Sequence, residues 1–304
     1  MDRSNGIQDA ISYIEEHLTD EIDYELAAKQ CFSSSYHFQR VFSILCGYTL
    51  GEYIRNRRLS LSGAELQSTD AKVIDIALKY GYESPDSFAK AFRKFHGVTP
   101  SQARGGARLR SFSRLSVKIS LEGGSQMEHT IKEFPQMVLT GYKRRFKGVP
   151  FGAQRSQQEN EMFVGTRAAQ WLLRGASHDS ATDYYCIVTN VDDDGYDFYI
   201  AVPLDDWERE NLYNQDITGI DFMERFCFEN VTIPANTYVV FETERKNLPQ
   251  DDYTDIRQRL VAEWFPGSGY KFADAPELAL IHWRSENDRN GHYVEIRIPI
   301  EKSR

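Results

Sequence analysis

No run in this sequence approaches the ~20 consecutive apolar residues that a membrane-spanning helix needs. Its opening residues, Met1 to Ser12, lack the cationic start and apolar stretch of a secretory leader. Neither membrane insertion nor secretion is expected, and a cytoplasmic location is. Cysteine is scarce: Cys31, Cys46, Cys186 and Cys227 lie far apart, with no C-x-x-C pair and no disulfide-like framework, and read as reduced packing residues. The seven histidines form no H-x-x-x-H or Cys/His cluster, so no metal and no cofactor is expected. G-x-S-x-G elbows, phosphate-cradling glycine loops and cysteines with an identifiable partner base are missing too, which leaves no catalytic residue to name. Asp192-Asp193-Asp194-Gly195 lacks the alternating ligands and distal Glu of a calcium loop and reads as an acidic turn.

Positive charge is also in deficit. With 36 Lys and Arg against 45 Asp and Glu the net charge is −9, which at face value argues against a nucleic-acid binder. The average conceals a segregation. Residues 1–25 hold one basic and eight acidic side chains, residues 26–105 hold eleven Lys and Arg against six Asp and Glu, and residues 106–304 are acidic again. A basic module is joined to an acidic one.

What the sequence does contain is two internal repeats, and they divide it. The first has an offset of 50: Leu26-Ala27 matches Ile76-Ala77, Ser34 matches Ser84, Phe38 and Phe42 match Phe88 and Phe92, and Gly47 and Thr49 match Gly97 and Thr99. The second has a period near 96, with Phe134-Pro135 recurring as Ile233-Pro234 and residues 199–204 recurring as 295–300. Between them, Gly105 to Arg114 carries turn residues and no clear apolar period. The expected division is therefore an all-α domain over 1–104, a linker over 105–114, and an α+β domain over 115–304.

Each copy of the first repeat reads as helix, turn, helix. In the first, a helix over about Tyr36 to Cys46 buries Phe38, Val41, Phe42 and Leu45 and turns Tyr36, Gln39 and Arg40 outward. In the second, Phe88, Ala91, Phe92 and Phe95 face inward while Ser87, Lys90 and Lys94 face out. A linking helix from Tyr53 to Leu66 carries Arg55, Arg57 and Arg58. A polar, cationic helix face fits the DNA major groove, where Arg grips guanine and Gln pairs with adenine. One such hairpin would be unremarkable. Two copies, each with a turn hydroxyl and a terminating glycine, are much harder to obtain by chance.

On these residues, Ile7 to Arg104 resembles the DNA-binding domain of the AraC/XylS transcription regulators. Phe42 to Gly47, Glu52-Tyr53-Ile54-Arg55 and Arg58-Leu59 carry the first half of the match; Ile76-Ala77, Gly81-Tyr82, Ser84, Ser87-Phe88, Ala91-Phe92 and Gly97 to Pro100 carry the second. The resemblance implies seven helices and two recognition helices that enter adjacent major-groove segments of double-stranded DNA about one turn apart. By position it assigns base reading to Tyr36, Gln39 and Arg40 in the first motif and to Ser87 and Lys90 in the second. Asp86 replaces Tyr36 in the second copy, which makes that motif the weaker reader. Arg57 and Arg58 would contact phosphate, or one of them would be tied to a carboxylate such as Asp75.

From Leu115 onward the sequence turns β-rich, with strands at 116–121, 137–139, 186–188, 198–202, 237–241, 278–283 and 293–298 and helices at about 160–173 and 252–264. The two halves read as pseudo-symmetric strand-helix-hairpin repeats that leave a groove between them. In the last strand Val294, Ile296, Ile298 and Ile300 share one face, and Tyr293, Glu295 and Arg297 share the other; Phe198, Ile200, Val202 and Leu204 likewise oppose Tyr199 and Ala201. Glu295 and Tyr199 thus face the groove, unless Glu295 merely pairs with its neighbour Arg297. The strand endings in Ile/Val-Pro-Ile/Leu, Gly123-Gly124 before Met127, and the late Glu295 make this module similar to the GyrI-like effector-binding domain. That resemblance implies a groove for drug-like or cationic ligands, carried here by Glu295 with Tyr199 and Trp283.

The combined expectation is a DNA-binding regulator that senses a lipophilic or cationic effector, with RNA polymerase as a further partner and a monomer or weak dimer as the working state. Two rivals stand beside it. One is a hydrolase of small electrophiles, with Glu295 as general base; the other is a sequestering or protein-binding module whose Glu295 is held in a salt bridge.

Overall fold

In the computed structural model, described residues are 3–31, 33–116, 127–150, 152–176, 184–213, 221–246, 252–282 and 291–303. Residues 117–121 of the strand expected at 116–121, Gly123-Gly124 and Trp283 lie outside them. The chain divides into two compact units, one of residues 1–42 and 48–122, the other of 43–47 and 123–304.

The first unit is helical: α1 (Arg3–Glu16), α2 (Tyr24–Gln30), α3 (Ser35–Cys46), α4 (Leu50–Ser68), α5 (Val73–Lys79), α6 (Pro85–His96) and α7 (Pro100–Arg104). The repeated hydroxyls set the helix starts. Thr49 caps α4 and Thr99 caps α7, each in a reciprocal box with Glu52 or Gln102 three residues on, and Ser84 accepts from the Ser87 N–H at the head of α6. The repeated glycines set the stops: Gly47 and Gly97 follow α3 and α6 with φ of 76° and 81°, a left-handed conformation that a side chain disfavours. Phe88 and Phe92 pack with Leu59, Ile76, Tyr80 and Ala103 in one core; Phe38, Phe42 and Tyr53 form the equivalent contact in the other motif, with ring centroids 5.9 and 5.6 Å apart. Leu45, expected inside, is 39 % exposed and Val41 is half-buried, because Ile44 rather than Leu45 takes the buried position at the end of α3.

Of Arg57 and Arg58 one is tied to a carboxylate within the domain, but to Glu15 and not to Asp75. Arg57 grips Glu15 of α1 with Nε at 2.8 Å and Nη2 at 2.7 Å, and the Tyr53 hydroxyl donates to the same carboxylate at 2.6 Å. Arg58 donates to the carbonyls of Leu18 and Asp20, at 2.8 and 2.7 Å. Residues 107–116 form no helix or strand, yet they are fastened along this unit. Gln67 donates to the Ala107 carbonyl, the Arg110 N–H to His96, the Phe112 N–H to Ser60, and the Leu115 N–H to Tyr53.

The second unit is built on β1 (Thr130–Phe134), β2 (Met137–Lys147), β3 (Tyr184–Thr189), β4 (Gly195–Pro203), β5 (Phe228–Ile233), β6 (Asn236–Glu242), β7 (Tyr270–Phe272), β8 (Glu277–His282) and β9 (Tyr293–Lys302). All pairings are antiparallel, in the order β1-β6-β9-β8-β3-β4-β2-β5, with β7 beside β9. That order is a palindrome in which β6-β9-β8 and β3-β4-β2 are the two repeats meeting at β8·β3. The repeated prolines mark an exchange: β1 runs through Pro135 into β2 but pairs with β6, and β5 runs through Pro234 into β6 but pairs with β2. Phe134 lies opposite Asn236 and Met137 opposite Ile233, so the two corners cross and curl the sheet upon itself.

Curling gives the sheet an inner face. Tyr199, Ile187, Leu278, Val240, Tyr238 and Leu139 from five strands form one buried cluster there. The outer face, with Phe198, Tyr142 and Glu277, meets the helices α8 (Gly152–Gly165), α9 (Arg167–Ala176) and α12 (Asp252–Arg259). Arg155 lies over the Phe198 ring, Thr166 bonds the Tyr142 hydroxyl, and Arg257 pairs with Glu277. The helix expected at 160–173 is two helices, broken at Thr166, whose hydroxyl bonds the Met162 carbonyl at 2.5 Å. Helix α12 continues into a π-helical turn at Leu260–Trp264 and then α13 (Phe265–Ser268). Two short helices, α10 (Asp206–Tyr213) and α11 (Phe222–Phe226), join the repeats.

Candidate functional site

In the first recognition motif the serines of residues 33–35 lead into α3, where Ser34 Oγ accepts from the His37 N–H at 3.3 Å. Tyr36 and Gln39 are half-buried, and Gln39 Nε2 donates to Ser35 Oγ at 3.1 Å. Arg40, expected on the outward face, is only 4 % exposed and Ser43 beyond it is buried. The outward exposure expected of Arg40 is therefore not found, while Tyr36 and Gln39 stay partly accessible.

The second motif differs. Ser87 is exposed at the head of α6, its hydroxyl donating to the Ser84 carbonyl at 2.9 Å. Lys90, Arg93 and Lys94 are exposed along the same helix while Phe88, Phe92 and His96 are buried. Pro85 at the first turn and Gly97 beyond the last hold the helix at both ends. A short, rigid helix with cationic side chains on the open face is what phosphate and base-edge contacts require.

In the second unit, strand partners settle which side chains share the inner face. Glu295 lies opposite Leu280 on one side and Glu242 on the other; Arg297 lies opposite Leu278 and Val240. Leu280 faces Tyr185, and Leu278 faces Ile187, which faces Tyr199. Tyr199 and Glu295 therefore belong to one face, as the strand alternation implies. Tyr199 is 7 % exposed, and burial raises its phenol above the ordinary value, partly offset by Lys143, whose Nζ sits 5.8 Å over the ring. Lys143 is in turn 3.3 Å from Glu229.

Glu295 does not stand alone on this face. Arg297 Nε donates to its Oε1 at 2.5 Å, with the two side chains 10 % and 14 % exposed respectively. The guanidinium also lies 4.0 Å from the Phe134 ring centroid and 5.8 Å from that of Tyr185. The neighbouring Glu242 repeats the arrangement: Arg245 reaches it at 3.3 Å and lies 4.4 Å over Tyr293, whose ring stacks on His282 at 4.2 Å. Phe134, Tyr185 and Glu242 were not among the residues expected here. Their placement depends on the crossed corners and on pairings between distant strands, and only the shared parity of Glu295 and Arg297 signalled the ion pair.

At the hairpin 192–195, Asp192 Oδ1 accepts from the Asp194 and Gly195 N–H groups at 2.9 and 3.0 Å while Oδ2 meets Arg145 at 2.5 Å. The carboxylate is used up in closing the turn, as an acidic turn requires.

Comparison with known proteins matches residues 27–106 to a helix-turn-helix domain family and residues 175–301 to the GyrI-like small molecule binding domain family. The HTH-type transcriptional activator AarP of Providencia stuartii is 42 % identical over 102 residues, 34 % of this chain and 76 % of AarP. Regulatory protein SoxS of Escherichia coli K12 is 38 % identical over 104 residues, 34 % of this chain and 97 % of SoxS. The transcriptional regulator Rob of Salmonella typhimurium is 35 % identical over 139 residues, which is 46 % of this chain and 46 % of Rob.

Proposed function

The chain belongs to the AraC family of DNA-binding transcription regulators and carries a GyrI-like small molecule binding domain, and from that premise we propose that it is a ligand-responsive regulator in which the sheet unit senses a lipophilic organic cation. The helical unit reads double-stranded DNA in two adjacent major-groove segments, through Tyr36, Gln39 and Arg40 on α3 and through Ser87 and Lys90 on α6. The observation that carries the ligand class is the pair of carboxylates, Glu242 and Glu295, directly opposite each other across β6 and β9 on a face that also holds Phe134, Tyr185 and Tyr199. These carboxylates already hold cations, Arg297 and Arg245, beside aromatic rings, and the same charge pairing and ring contact suit an organic cation with apolar substituents.

Glu295 Oε1 is occupied by the Arg297 guanidinium, and general-base hydrolysis is not part of this reading. The same ion pair favours a second reading, a protein-binding module that holds no small ligand. Thermal melting of the full chain across a panel of lipophilic cations separates the two, because a ligand that binds the native state must raise the melting temperature. A rise that follows the cation and not a neutral counterpart supports the sensor; no rise with any cation leaves the protein-binding module. Genomic footprinting with and without an active cation then tests the regulatory coupling.

A further inference from the structure

The proposed cation site already contains a cation. Arg297 makes each contact that a lipophilic cation would seek on this face: it is hydrogen-bonded to Glu295 at 2.5 Å, lies 4.0 Å from the centre of Phe134, and is within 5.8 Å of the centre of Tyr185. Its side chain is 10 % exposed, so the guanidinium has exchanged most of its water for these partners. A planar guanidinium both pairs with a carboxylate and stacks on an aromatic ring, which suits it to this place better than an ammonium.

We propose that Arg297 is the resident cation of the sheet face and the residue that sets its specificity: an organic cation binds by displacing the guanidinium from Glu295 and from the Phe134 ring. This inference rests on the cation-sensor reading and deepens it. In the opposite exchange an anion would displace Glu295 from Arg297 and come to lie beside Glu242, the strand partner of Glu295, whose own arginine, Arg245 at 3.3 Å, is half-exposed and so screened by solvent. Competition has a consequence for selectivity. A small hydrated cation gains too little ring contact to replace Arg297, whereas a broad aromatic cation gains enough, so the tethered arginine acts as a threshold that filters ligands by apolar area.

Binding of rhodamine 6G, a fluorescent lipophilic cation, to the full chain by anisotropy tests this, with wild type, R297M, R297Q, R297K, E295Q and the double variant E295Q/R297M side by side. R297M removes the competitor and leaves the carboxylate, so affinity should rise at least ten-fold; R297Q, which can still hydrogen-bond Glu295, should also gain. R297K keeps a competing charge that fits the place less well and should fall between wild type and R297M. The gain should vanish in E295Q/R297M. DNA binding and melting temperature verify folding of each variant, and should R297M fail to fold, R297Q decides. If wild type binds the dye and E295Q weakens it, but folded R297M and R297Q bind no tighter, the resident-cation proposal is overturned while the sensor reading stands. If neither wild type nor the folded Arg297 variants bind the dye, both fall.

Discussion

Glu15 shows how much one side chain can organise. Burial alone would raise its carboxyl pKa, but hydrogen bonds from Arg57 and Tyr53 and the charge of Arg57 bring it below the ordinary value of 4.5. A carboxylate whose folded pKa is depressed contributes stability that is complete above the unfolded value and lost as pH falls through the folded one. The helical unit should therefore lose stability as pH drops below about 4.5, and E15Q should flatten that part of the curve while being less stable at pH 7. Denaturation of both proteins between pH 7 and 3 checks this; parallel curves would show that the Glu15 network does not contribute. A second residue-scale case lies in the sheet unit, where Arg257 and Glu277 pair while 1 % and 3 % exposed. Removing one partner strands a buried charge, so E277A should cost about 3–5 kcal/mol in urea denaturation, while the apolar double variant R257M/E277L should recover much of it. Neither pair was legible beforehand. Glu15 lies in an acidic stretch that reads as solvated surface, and Arg257 in a polar helix; their partners are 42 and 20 positions away, beyond the reach of any local pattern.

At the scale of elements, the helical motifs were readable because their signals are local: phenylalanines four apart, a hydroxyl before each helix and a glycine after it. The sheet was only half readable. Strand alternation placed β4 and β9 correctly, but β1 and β5 each pair with the opposite repeat across an exchange at proline, which periodicity cannot show. The segment 105–114 looked like a connector because it lacks an apolar period, yet 107–115 is held by side chains of α4 and α6. Buried His96 is central to that attachment. Its Nδ1 accepts the Arg110 N–H at 3.2 Å while Nε2 contacts the Leu59 carbonyl at 3.0 Å, an arrangement that demands the neutral ring. Burial, aided by the charge of Arg110, lowers the His96 pKa from 6.5. Protonation is thus disfavoured in the fold, and the stability that the neutral ring supplies is present above pH 6.5 and lost as pH falls through the lowered value. Hydrogen exchange at residues 109–112, corrected for intrinsic rates, should accelerate between pH 6.5 and 5 relative to the core of α4. Uniform protection across that range would show that His96 does not hold the strap. Gly63→Ala should loosen the same attachment at neutral pH, since a Cβ there would lie 2.9 Å from the His96 ring and 3.0 Å from Leu109.

For the whole molecule, the segregation of charge decides how a protein of net charge −9 can bind a polyanion. The helical repeat keeps its cations on the open face of α6, so phosphate neutralisation is local and salt-dependent even though the chain as a whole is acidic. The two motifs should then fail differently. Lys90 is exposed on the motif expected to be the weaker base reader, so K90A should weaken the cognate duplex by less than R40A does, and an equal loss on cognate and scrambled duplexes would reassign Lys90 to phosphate contact. On the base-reading role proposed for Arg40, R40A should cost about 1–3 kcal/mol at the cognate site, relax preference at one base position, and leave the scrambled duplex nearly unchanged. Because Arg40 is 4 % exposed, the melting temperature of R40A must be recorded beside its affinity. A variant that melts normally yet loses only cognate binding assigns Arg40 to base reading. A fall in melting temperature with equal loss on both duplexes assigns it to the packing of α3, and base reading in the first motif would then rest on Tyr36 and Gln39.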